Sequence, residues 1–282
     1  INMKKLLIPF ALLLGFAFFT GCNKDDDGDQ TSGTFELKFD NIAGDQDITL
    51  VDGTSNEFKY TNGMSQNFNV SLLGYYITKI VLEGPNGEYF ADEVATSATA
   101  SQVKGIYHVL ENNLNSQVIT LSDVPGGKYN KVTFTVGIPA EIVQEGATGG
   151  VLDPAEGAWL WNWDAGYIGF AFEGRSPASP VAASQWNPEN SVQIHLGGWK
   201  EVPGNPAMVN NIQTFTLDFG TSVNVSEKLS PNAHIEMDLL KVLTSDHATV
   251  DFTTVNQVHS PAGGHEIAKG LHDAFKVDHV HQ

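Results

Sequence analysis

The chain has 282 residues, with 15 basic against 33 acidic side chains, a formal net charge of −18 and one cysteine. A body this acidic is a poor partner for nucleic acid or anionic membrane surfaces and attracts cations instead. The lone cysteine excludes a disulfide within the chain, and the length is ample for a substantial hydrophobic core.

Residues 1–21 read as a secretory leader: Lys4 and Lys5, an apolar run from Leu6 to Phe19, then Thr20-Gly21 before Cys22. The run is too short for a good membrane span. A small pair before a lone cysteine resembles a bacterial lipobox, which implies cleavage before Cys22, acylation of that residue and a lipid anchor in the outer membrane. Lys24-Asp25-Asp26-Asp27 resembles the export signal of surface-exposed lipoproteins in the Bacteroidetes. Residues 22–33 are therefore expected to be an acidic flexible tether, with one domain over 34–282 and a location on the outer membrane facing the cell surface.

Within that domain apolar residues recur with period two, as strands require. Phe35, Leu37 and Phe39 open the fold. Phe68, Val70 and Leu72 lead to Leu73–Leu82, read as two strands separated by a bend. Tyr107–Leu110 is a short apolar island, Val118–Leu121 precedes the turn Pro125-Gly126-Gly127, and Val132, Phe134 and Val136 share a face. Ala140–Gln144 is long enough for one helical turn. Trp159, Trp161 and Trp163 alternate, Asp164-Ala165-Gly166 has turn composition, and Ile168, Phe170 and Phe172 alternate again, so this stretch reads as an aromatic β-hairpin. Val192, Ile194 and Leu196 put His195 on the opposite face. Phe215–Phe219 and Ile235–Leu239 repeat the pattern, and Val250 and Phe252 suggest a late strand. Ile267, Leu271 and Phe275 are four apart, which is helical spacing. The sum is an all-β chain: a single antiparallel β-sandwich with a short C-terminal helix.

The residues able to do chemistry are mainly histidines. Five of the nine lie in the last 24 residues: His259, His265, His272, His279 and His281. Seven residues apart on a helix, His265 and His272 fall within about 20° of each other. His279 and His281 face the same way if their segment is extended. His234, Glu236 and Asp238 share one strand face, which could hold a hard cation, but alternating polar residues on an outer sheet face look identical and that ordinary reading is preferred. No nucleophile elbow, phosphate loop or paired-cysteine zinc pattern is present, so the expectation is a binding protein and not an enzyme.

Several blocks in order resemble the MbnP family, copper-binding proteins related to those of methanotrophs. They are Leu73–Ile80, Tyr107–Leu110, Thr133–Pro139, Gly150–Ala155, Trp161–Tyr167 with Glu173-Gly174, His195–Gly197 and Phe275–His281. Trp159 and Leu160 enrich the tryptophan block beyond that pattern, and Ser176–Pro188 matches nothing in it. The resemblance implies a β-sandwich that binds a single copper ion, Cu(I) or Cu(II), through histidines, for copper acquisition or handling. It nominates His108, His195, His279 and His281 as ligands. It also implies a diheme peroxidase-like partner that oxidises one tryptophan to kynurenine, here Trp161 or Trp163. Zinc takes the same nitrogen donors, although equilibrium affinity favours copper. The competing reading is a binding module that offers the tryptophan face to glycans or peptides.

Overall fold

Alternation along the first strand is realised as expected: Phe35, Leu37 and Phe39 are fully buried on β1 (Ser32–Ala43). The computed structural model describes residues 31–146 and 148–282. The leader, Cys22 and the acidic run Asp25–Asp27 lie outside the described residues, and β1 already begins at Ser32, inside the stretch expected to be tether. There follow β2 (Gln46–Asp47), β3 (Tyr60–Thr61), β4 (Asn67–Phe68), β5 (Leu72–Glu83), β6 (Tyr89–Ala91), β7 (Ile106–Leu110), β8 (Val118–Pro125) and β9 (Gly127–Val136). After α1 (Ala140–Gln144) come β10 (Leu160–Asn162), β11 (Gly166–Arg175), β12 (Ser191–Gly197), β13 (Gln213–Val225) and β14 (Asn232–Asp238). The chain closes with α2 (Leu239–Leu243), β15 (Gln257–Val258), α3 (His265–Ala274) and β16 (Phe275–His281).

Two sheets face each other. The smaller runs β16-β14-β1-β2 with β8 also paired to β1; the larger runs β13-β9-β5-β11-β12-β15, with β10 beside β11 and β6 and β7 beside β5. Their inner faces share one core. Phe39 of the small sheet meets Tyr75 and Phe134 of the large one edge-on at 6.0 and 5.6 Å, and Phe134 also contacts Phe215 and Phe275. Burying each such ring removes apolar surface worth about 1.5–3 kcal/mol. Most pairings are antiparallel, as the period-two pattern with short turns suggests. Two are parallel: β1 with β14 and β12 with β15.

Some local readings need correcting. The two strands expected across Phe68–Leu82 are β4 and β5, with the bend at Ser71, but β4 is only two residues long and β5 runs on through a second irregularity. Lys79 takes a φ of 53° and the register with β9 shifts between Thr78 and Val81, which is a bulge inside one long strand. Val250 and Phe252 are buried without forming a strand; they fill the core from a loop. Leu239, read as the end of a strand, starts α2, because the Asp238 carboxylate accepts the Leu240 N–H and caps it. The stretch 176–190 is held by Arg175, whose Nε donates to the Glu189 carbonyl at 2.6 Å and whose Nη1 donates to the Thr54 and Ser55 carbonyls.

A second, smaller apolar cluster lies on the outer face of the large sheet, where Tyr76, Ile138, Ile142, Leu152, Tyr167 and Trp199 pack together. It exists because residues 138–146 and 148–167 fold back over that face, and it brings the tryptophan stretch down onto the sheet.

Candidate metal centre

The parallel pairing of β12 with β15 places Gln193 opposite Gln257 and Ile194 opposite Val258. One step further along, His195 and His259 come side by side, their ring centroids 4.9 Å apart. Both follow inward-facing residues, so both look outward. Glu173 of β11, two residues beyond Ala171, the partner of His195, lies on the same face, and its Oε1 is 2.8 Å from His195 Nε2. That hydrogen bond holds the Glu173 carboxyl below its usual range, against the upward pull of burial. Partial burial, and then the neighbouring His195, lower the pKa of His259. An imidazole kept neutral is ready to ligate a metal. Glu173 also fixes the tautomer and orientation of His195, as a carboxylate behind a ligand histidine does.

Two glycines let indoles approach this face. At Gly197, two residues from His195, an added Cβ would lie 3.0 Å from Trp161 Cζ3; at Gly74 it would lie 3.0 Å from Trp159 Cη2. The three tryptophans do not form one plate. Trp159 packs edge-on against His108 at 4.3 Å, Trp161 covers Gly197, and Trp163 stands in the turn against Tyr167 at 6.4 Å. The alternation expected across the hairpin breaks because β10 is only three residues long and its register with β11 shifts.

Of the four nominated ligands, His108 is on the same outer face as His195 but not beside it. The row Leu110–Gly74–Ala171–His195 crosses β7, β5, β11 and β12. His108 is two residues from Leu110, so three interstrand steps, about 14 Å, separate it from His195. Its ring is stacked on Tyr76 at 4.1 Å, its Nε2 is buried without a hydrogen-bond partner, and burial lowers its pKa to about 4. His279 and His281 lie on the other sheet. There they join His234, with ligand atoms all within 4.8 Å of one another. His234 alternates with the inward-facing Ala233 and Ile235, so this trio is on the outer face of the small sheet. The set His108, His195, His279 and His281 therefore does not converge: a sheet-to-sheet spacing of about 10 Å, plus side chains pointing away on both sides, separates its halves.

The remaining polar candidates have structural partners. His265 Nδ1 is 2.7 Å from Asn211 Oδ1, and His272 stacks on Phe215. Glu236 pairs with Lys276, and Asp238 caps α2. Sequence reasoning gave no role to His259 or Glu173, and preferred the ordinary outer-face reading for His234. It also passed over Asn211, a buried amide that donates to the Gly197 and Pro261 carbonyls and so ties the loop after His195 to the loop after His259. Only a parallel contact across more than sixty residues pairs His195 with His259, and no local pattern announces such a contact.

The family model MbnP matches residues 32–260. Among solved structures, MbnP from Methylosinus trichosporium is similar at 15% identity, covering 75% of this chain and 77% of that one with a TM-score of 0.44. No curated protein matches. The matched span takes in the tryptophan hairpin, Glu173, His195 and His259 and ends before His279. Covering most of the sequence, it shows that the chain belongs to the MbnP family.

Proposed function

We propose that this protein is a lipid-anchored, surface-exposed or periplasmic copper-binding protein, not an enzyme, and that copper is held by His195 and His259. The observation that carries this reading is the adjacency of those two imidazoles on the outer face of the large sheet, with Glu173 behind one of them. The choice of copper rests on the family resemblance; two imidazole ligands suit either oxidation state. Bound there, copper would serve as cargo for acquisition or handling.

Trp161 is the favoured candidate for oxidation by a diheme peroxidase-like partner. Its ring packs over Gly197, two residues from His195 in the chain, whereas Trp163 packs in the turn against Tyr167. Kynurenine carries an aromatic amine and a ketone, two donor groups that an indole lacks, so oxidation at Trp161 would enlarge the donor set on this face. Intact mass of the natively expressed protein reports lipid, metal and ring oxidation together.

Copper titration against a competing chelator tests the ligand assignment. The His195→Ala/His259→Ala variant is expected to lose the high-affinity copper of this face. Unchanged stoichiometry and affinity in that variant would overturn it.

A further inference from the structure

On the opposite side of the sandwich, β16 is the edge strand of the small sheet, and β14 is its antiparallel neighbour, with His234 opposite His279. The three rings are close: His234 to His279 at 4.1 Å, His279 to His281 at 4.7 Å, and His234 to His281 at 5.4 Å between centroids. His279 Nε2 and His281 Nε2 are 3.0 Å apart. Two atoms that both bond one ion at about 2.0–2.1 Å have that kind of separation. The second nitrogens of two of the rings are engaged by carboxylates, His234 Nδ1 with Asp40 Oδ2 at 2.7 Å and His279 Nδ1 with Asp278 Oδ2 at 2.6 Å. Asp40 is itself oriented by Lys38 at 2.8 Å. A carboxylate on the far nitrogen leaves Nε2 as the ligand atom and makes it more basic, which is the supporting shell of histidine metal sites. The pocket is open enough for an ion to enter, with the His279 side chain 45% exposed and that of His234 16% exposed.

We infer that His234, His279 and His281 form a second metal site for a first-row divalent ion of the copper–zinc kind, with Asp40 and Asp278 orienting two of the ligands. Three imidazoles with no thiolate or directly ligating carboxylate select nitrogen-preferring ions over calcium or magnesium. The site is independent of the one on the large sheet: it shares no residue with it and faces the other way. His234 lies within the span matched by the family model, and His279 and His281 lie beyond it. Because its ligands come from β14 and β16, an ion here pins the edge strand to its neighbour.

The test uses Zn(II) as the probe on the full chain carrying His259→Ala, an exposed position whose loss cripples the first site without disturbing the core. That protein is expected to bind one zinc ion against a competing chelator. Adding His234→Asn, or His279→Ala with His281→Ala, is expected to abolish the binding, and Asp40→Asn to weaken it 10- to 100-fold. Zinc is also expected to slow amide exchange at residues 275–281, and to have no such effect in the His234→Asn variant. Zinc binding that survives His234→Asn unchanged would reduce the feature to a flexible His279/His281 pair and overturn the proposal. Absence of zinc binding in the His259→Ala background would overturn it too, leaving the reading of the large sheet untouched.

Discussion

At the scale of single residues, identical imidazoles acquire different chemistry from their neighbours. His195 has a carboxylate on one nitrogen and another imidazole beside it; His108 has two aromatic rings and a buried nitrogen with nothing to bond. Glu173→Gln is therefore expected to weaken copper binding 10- to 100-fold, read by chelator competition, because the amide no longer orients His195 as a carboxylate does. His108 gives a pH prediction with a definite sign. Its pKa falls from 6.5 to about 4 on folding because burial disfavours the charged ring. The unfolded chain thus takes up the proton first. The stability held above pH 6.5 declines as the pH falls toward 4 and then levels off, a loss of at most about 3 kcal/mol. Urea unfolding at pH 7 and at pH 4.5 measures it, and His108→Phe is expected to flatten that part of the acid limb.

At the scale of elements, strands with one face in the core were legible in the sequence. Phe35, Leu37 and Phe39, or Val192, Ile194 and Leu196, alternate cleanly because one side of each strand meets the opposite sheet. The helix α3 was legible for the same reason at a different period, through Ile267 and Leu271, although Phe275, the last residue of the expected stripe, already opens β16. Elements whose identity depends on distant partners were not. Val250 and Phe252 are core residues carried by a loop, Leu239 begins a helix because Asp238 caps it, and three tryptophans with ideal alternation end on three different partners. Asn211 shows how such distant contacts hold the site together. Asn211→Ala removes two donated hydrogen bonds and the partner of His265, and leaves the Gly197 and Pro261 carbonyls buried without it. The expected cost is about 2–4 kcal/mol in chemical denaturation, with weaker copper binding from the loosened loops after His195 and His259. Phe134→Ala, which removes a ring touching Phe39, Phe215 and Phe275, is expected to cost about 3–5 kcal/mol and to lower copper affinity much less per unit of lost stability.

At the scale of the whole molecule, the sandwich sorts its histidines onto two outward faces. His195 and His259 go to the large sheet, and His234, His279 and His281 to the small one. The sequence shows that His195 and His234 face away from the core, since each alternates with neighbours that are buried. It does not show which strands lie side by side, and that order alone decides which imidazoles meet. Alternation with Val192, Ile194 and Leu196 placed His195 on an outward face, where it lies; only the parallel β12–β15 contact supplied its neighbour. The most direct measurement is anomalous scattering at the copper edge from crystals of the copper-loaded protein. A copper peak is expected between the imidazoles of His195 and His259. Copper found elsewhere on the molecule, with none between those two rings, would contradict it.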